Sequence, residues 1–180
     1  MTKSDNNFAY IDGANLHNGM RSFDLDLDYA RFRVWLKDKY SIQKAYIFIG
    51  LIPKYKVLYK YLQEAGFTLI FKEVVYDGEG KPKGNCDADL VLQTVCDTYE
   101  NKFEKCVIVS SEGDYAGLIA FLVKRNKCLA VLSPHIEKKC SVLIKRTGVC
   151  IAYIKDKEGV LKVQKEKAPG EDKTSQGSFS

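Results

Sequence analysis

Short apolar runs, each a strand's length and separated by helix-patterned segments, most constrain what this chain can fold into. They fall at Phe8–Asp12, Ala45–Ile49, Phe67–Tyr76, Cys106–Ser110, Cys128–Leu132 and Val149–Ile154. These runs do not alternate between apolar and polar residues. Strands apolar on both sides need a covering layer on each face, and helices between them make the pairing parallel. The expected fold is therefore α/β, a three-layer αβα sandwich on a mainly parallel sheet of order 3-2-1-4-5.

Helices are expected at Asn15–Arg21, at Asp28–Lys39 with Asp28 as cap, and from Pro53 to Ala65, where Gly66 ends the helix. Others run from about Cys86 to Glu100, from Asp114 to Arg125, and over Ser141–Arg146. Residues 77–85 read as a Gly- and Lys-rich loop, and Val160–Val163 as an added edge strand. Residues 1–7 are expected to be a flexible N-terminus, 8–163 the folded domain, and 164–180, rich in polar residues, a disordered tail.

A chain of 180 residues has a one-domain length. No apolar run approaches the roughly 20 residues that span a bilayer, and the polar start lacks a signal peptide's apolar segment. A cytoplasmic protein with no membrane partner is expected. The six cysteines, at 86, 96, 106, 128, 140 and 150, form no Cys-x-x-Cys pair and mostly adjoin Val, Leu or Ile. They read as small buried thiols in a reducing compartment. With only two histidines, His17 and His135, a Cys/His zinc cluster has little to draw on.

The formal charge of +5 is mild, and its distribution is more informative. Lys54, Lys56 and Lys60 alternate with Tyr55, Tyr59 and Tyr61, and Lys83 lies in the Gly/Lys loop. Cations mixed with aromatic rings suit a single-stranded nucleic acid, cations meeting phosphates and rings stacking on bases. The plainer alternative is a solvated helix face.

The candidate site follows from where carboxylates fall in this layout. Open parallel sheets bind ligands at the carboxyl ends of their strands, where the strand order reverses. Asp12 ends the first strand and Asp114 follows the fourth by a short turn, so both reach that edge. Each adjoins a glycine, Gly13 or Gly113, which lets the backbone turn tightly. Asp87 lies in the first turn of its helix. At about 100° per residue it shares an arc with Leu90, Val91, Thr94, Val95 and Thr98, where an apolar residue is expected. An inward carboxylate is costly unless paired or metal-bound; the alternative is a helix cap. Asp89 falls on the polar arc with Gln93, Asp97 and Glu100, which reads as solvated surface, and stays a further candidate ligand. Glu112 lies in the turn before Asp114, within reach of the same crevice.

Three or four carboxylates, without histidine or cysteine, imply a hard divalent cation, Mg²⁺ or Mn²⁺. Phosphodiester hydrolysis is the chemistry that best uses such a site.

Three segments then carry a resemblance. Phe8-Ala-Tyr-Ile-Asp-Gly-Ala-Asn-Leu16 resembles the opening motif of the NYN domain family, the LabA-like group of PIN-like nucleases. Lys83-Gly-Asn-Cys-Asp-Ala-Asp-Leu-Val91 is similar to its central motif. Val107-Ile-Val-Ser-Ser-Glu-Gly-Asp-Tyr115 resembles its third motif, Ser-Gly-Asp-x-Asp-Phe. The resemblance spans about Phe8 to Ile154. It implies an αβα sandwich and a Mg²⁺- or Mn²⁺-dependent endoribonuclease, with Asp12, Asp87 and Asp114 at the family's acidic positions. It further implies that Asn15 holds the acid ring or a metal-bound water in place, and that Ser110 orients by hydrogen bonding. Ser111 replaces the motif's glycine, and Glu112 its first aspartate.

A dehalogenase-like phosphatase needs a second Asp where Ala14 stands, and no Gly-x-Gly-x-x-Gly follows any strand. A catalytically degenerate RNA-binding or regulatory module is the rival reading. The partner expected is RNA, single-stranded or structured, and a homodimer is left open.

Overall fold

The computed structural model describes residues 5–73, 75–76, 78–79, 82–83 and 86–163, without the side chains of 75, 76, 82 and 83. Six parallel strands form one sheet: β1 (Asn7–Asp12), β2 (Ile42–Leu51), β3 (Thr68–Glu73), β6 (Cys106–Val109), β7 (Cys128–Ser133) and β8 (Ile151–Tyr153). Their order is β3-β2-β1-β6-β7-β8, which is 3-2-1-4-5-6 when the sheet strands alone are counted. The expected order is thus present with one more strand at its edge. A two-residue antiparallel hairpin, β4 (Val75–Tyr76) with β5 (Pro82–Lys83), stands apart from this sheet.

The β1 side chains explain why helices cover both faces. Ala9 and Ile11 pack with Ile47, Val107 and Val109 against Leu16, Met20, Phe32 and Leu62 on one face. Phe8 and Tyr10 pack with Phe48, Ile108 and Val131 against Leu90, Leu118 and Ile119 on the other. Burying such a side chain fully contributes roughly 1.5–3 kcal/mol, so neither face is stable bare. The covering helices are α1 (Gly13–Arg21), α2 (Tyr29–Tyr40), α3 (Lys56–Glu64), α4 (Asp87–Tyr99), α5 (Ala116–Lys124) and the short α6 (Val142–Lys145). Asp28 caps α2, its Oδ1 accepting the Arg31 N–H at 3.0 Å.

Several expectations need correction. The run Phe67–Tyr76 is not one strand: β3 ends at Glu73, and Val75–Tyr76 turns into the hairpin whose second strand lies in the expected loop. Val160–Val163 is no edge strand. A short helix, α7 (Glu158–Leu161), occupies most of it, and Lys162 makes one antiparallel bridge to Leu27. Buried Leu161 anchors the segment in the core, and one apolar contact point suits a helical turn better than an extended edge. Asn7 already belongs to β1, because its side chain donates to Tyr40 O at 2.9 Å and accepts from Lys105 N at 3.0 Å. All six cysteines are free, but Cys96 and Cys150 are exposed. No described helix is long and apolar enough to cross a membrane, and the tail expected at 164–180 lies outside the described residues.

Candidate metal centre

The site forms at the carboxyl ends of the two central strands, β1 and β6. Asp12 is the last residue of β1 and the N-cap of α1, its Oδ1 accepting the Asn15 N–H at 2.9 Å. Helix N-termini favour a carboxylate, yet Asp12 is only 7% exposed. Burial dominates and pushes its carboxyl up to about 6; the Asn15 N–H opposes this, and the charges of Glu112 and Asp87 add to it. The neighbouring glycines are needed for a different reason from the turn expected. A Cβ on Gly13 would stand 2.8 Å from the Phe48 carbonyl, and one on Gly113 2.7 Å from Ser141 Oγ. Neither has a positive φ, so close packing requires the missing side chain.

Asp87 opens α4, which packs over β1 and brings the acid to Asp12 from the opposite layer. Between them lies Tyr115, fully buried. Its hydroxyl donates to Asp87 Oδ1 at 2.6 Å and to Asp12 Oδ2 at 3.1 Å. One phenolic proton serves two carboxylates, so it satisfies one at a time. Burial and then the Asp12 charge push the phenol's pKa far up, which keeps it a donor.

Glu112 completes the cluster. One carboxylate oxygen from each of Asp12, Asp87 and Glu112 lies within 4.8 Å of the others. Asn15 Nδ2 donates to Glu112 Oε1 at 2.7 Å, and Ser110 Oγ accepts the Glu112 N–H at 3.2 Å, holding the turn. Asp114, exposed in the 3-10 turn Gly113–Tyr115, lines the same cleft of about 250 Å³ but stands outside the three-oxygen set. Cys86 lines that cleft too; burial and nearby carboxylates push its thiol up to about 11, so it offers no thiolate near neutral pH. The donor set is oxygen, which suits a hard cation.

A second wall was not read from the sequence. Ser111 Oγ lies 2.8 Å from His135 Nδ1 and 3.0 Å from Asn15 Oδ1, which also accepts the Ser111 N–H at 3.0 Å. Glu112 can only accept, so Asn15 Nδ2 points to it and Oδ1 faces Ser111. The serine hydroxyl then donates to Asn15 and accepts from His135 Nδ1–H, which leaves Nε2 without that proton in the neutral ring. Burial and Lys139 lower the His135 pKa from its ordinary 6.5. The signal for this wall was Ser111 itself, a hydroxyl in place of a glycine. Tyr115 was equally legible, since it stands at the phenylalanine that ends the third motif.

Asp89 pairs with Lys72 Nζ at 2.9 Å and belongs to no three-oxygen cluster found among the described residues. Asp97 is a correction: it is buried, accepting from Tyr10 Oη at 2.8 Å and Gln93 Nε2 at 2.9 Å, with Lys102 Nζ at 3.1 Å. Lys54 and Lys56 are exposed, with Lys54 Nζ 4.9 Å from the centre of the Tyr55 ring. Lys60 faces solvent and pairs with Glu64 at 3.6 Å. The Lys83 side chain lies outside the described residues.

Fold and site together define a doubly wound α/β domain with a carboxylate-lined cleft at its topological switch point. The NYN domain model matches residues 8–151, and the chain belongs to the NYN domain family, one of the PIN-like nuclease families. A solved structure of a protein of unknown function from Vibrio parahaemolyticus has the same fold, with a TM-score of 0.70 at 18% identity, covering 86% of this chain and 96% of that one. No curated protein matches the chain significantly in sequence.

Proposed function

We propose that the chain is a Mg²⁺- or Mn²⁺-dependent endoribonuclease that hydrolyses phosphodiester bonds of RNA. The observation that carries this reading is the convergence of Asp12, Asp87 and Glu112 at the sheet switch point, in a chain of a PIN-like nuclease family. These three would hold the cation, and the donor set fits it, since a cation offsets the burial and the neighbouring carboxylate charges that push Asp12 up to about 6. Bound there, such a cation supplies Lewis acidity toward a phosphodiester and its attacking water.

The chain's own groups do the positioning. Tyr115 and the α1 N-terminus fix the two aspartates, and Asn15 turns Glu112 toward them. Ser110 fixes the turn. Asp114 adds a further carboxylate to the same cleft, beside the three ligands. Lys54 and Lys56 draw the RNA backbone toward the site.

The test is cleavage of a 5′-labelled RNA with Mn²⁺, with EDTA and with Asp87→Asn. Internal cleavage that EDTA and Asp87→Asn both abolish, with unchanged circular dichroism, is the expected result. RNA binding without metal-dependent cleavage would favour the degenerate binding module instead.

A further inference from the structure

Beside the carboxylate cleft lies a second, mainly apolar pocket of about 370 Å³, between α1, the end of β2 and α3. It adjoins the first, and Ala14, Ile49 and Gly50 line both. Its volume is near the lower end of the roughly 300–1,000 Å³ of small-molecule sites, so it suits one ring system rather than a peptide.

Its lining is mainly aliphatic but includes three tyrosines, Tyr29, Tyr55 and Tyr59. The Tyr59 hydroxyl donates to Gly50 O at 2.8 Å and accepts from Ile52 N at 2.9 Å, while its ring meets Phe71 edge-on at 4.9 Å. Tyr55 lies at the mouth, 41% exposed, with the Lys54 ammonium over its ring. Tyr29 also lines the pocket, and among the described residues its hydroxyl makes no hydrogen bond. It is nonetheless not sealed from solvent, since no fully buried side-chain polar atom lacks a partner. An apolar slot with tyrosine rings in its lining, one phenol without a hydrogen bond and a cation beside Tyr55 combines what a nucleobase needs: apolar surface and an exposed ring to stack on, a polar edge to pair, and charge for the adjoining phosphate.

We propose that this pocket receives one nucleobase of the RNA strand whose backbone crosses the carboxylate cleft, and so sets which nucleotide flanks the cut. The inference rests on the nuclease reading for the identity of the strand. Its physical content is a base site joined to a phosphate site by shared lining residues.

The test uses the full chain in EDTA and a fluorescein-labelled single-stranded RNA in which one abasic nucleotide is moved along the strand. Binding is read by anisotropy. Base–aromatic stacking predicts about a tenfold loss of affinity when the missing base is the one the pocket holds, and little at the strand ends. In Leu58→Trp, which fills the slot away from the carboxylates, and in Tyr55→Ala, at an exposed mouth, that position-specific loss should disappear. Loss at no position, absence of any RNA binding, or the same loss in both variants overturns the proposal. Cleavage with Mn²⁺ is measured separately. A base-position effect without cleavage removes the nuclease reading and keeps the pocket; cleavage without the effect does the reverse.

Discussion

Replacing Asp12 with asparagine separates what this residue does for the fold from what it does for a cation. Burial moves the carboxyl from its ordinary 3.8 to about 6, so near neutral pH the folded chain holds a charge it is reluctant to hold. At about 1.4 kcal/mol per tenfold change in proton affinity, the charged form costs on the order of 2–3 kcal/mol of stability. The sign follows from linkage: the folded state binds the proton more tightly than the unfolded one between pH 3.8 and about 6. This stabilising contribution is present at low pH and is lost as pH rises through about 6. Asparagine keeps the α1 cap and the contact with Tyr115 without the charge. In EDTA, urea denaturation should therefore show Asp12→Asn more stable than the parent by about 2 kcal/mol at pH 8, with the gap closing toward pH 4. Saturating Mn²⁺ should stabilise the parent, by binding only the folded state, and not the variant. A variant less stable than the parent at pH 8 in EDTA, or a gap that widens as pH falls, would refute the reasoning.

Tyr115→Phe, which restores the residue of the family motif, should lower stability in EDTA by about 1–3 kcal/mol in urea, because the buried Asp12 and the half-buried Asp87 lose their shared donor. Glu112→Gln should raise the Mn²⁺ concentration needed for half-maximal cleavage more than it lowers the saturated rate. Asp89→Asn should change that titration little, since Asp89 is engaged with Lys72; the reverse order would move the third ligand into the central motif. Changing Lys54 and Lys56 to Gln should flatten the logarithmic salt dependence of RNA binding by about 0.7 for each phosphate no longer neutralised. Lys60→Gln, at a solvent-facing residue paired with Glu64, should leave that slope unchanged.

The sheet was legible in the sequence because strands covered on both faces leave no polar alternation, and six such runs admit few arrangements. Asp12 and Glu112 were legible by position alone, as residues that end or follow central strands. Asp87 was legible by conflict, an acid on an apolar arc. The same arc reasoning misplaced Asp97. It treats a helix as having one buried side, whereas the end of α4 is covered from the flank by Tyr10 of β1 and by Lys102. No periodicity reports such a contact between distant segments. Ser111 signalled a polar wall, but its partner His135 was hidden for the same reason, since a loop after β7 reaches Ser111 only through the parallel crossover.

The three departures from the third motif are coupled through space. Glu112 carries one methylene more than the aspartate it replaces, and Asn15 Nδ2 at 2.7 Å fixes the direction in which that extra length reaches. Asn15 can do so only with its Oδ1 turned away, where Ser111, in place of the motif's glycine, supplies both a backbone and a hydroxyl donor. That hydroxyl in turn engages His135 at 2.8 Å. Tyr115 acts from the other side, placing a hydroxyl between Asp12 and Asp87 where phenylalanine has none. Every substituted side chain thus finds a polar partner at the cleft, as the buried Ser111 and Tyr115 require. A site drifting out of use would accumulate unpaired groups or lose acids. Here the third carboxylate is lengthened and then held, a pattern that supports a retained cation site over a degenerate one.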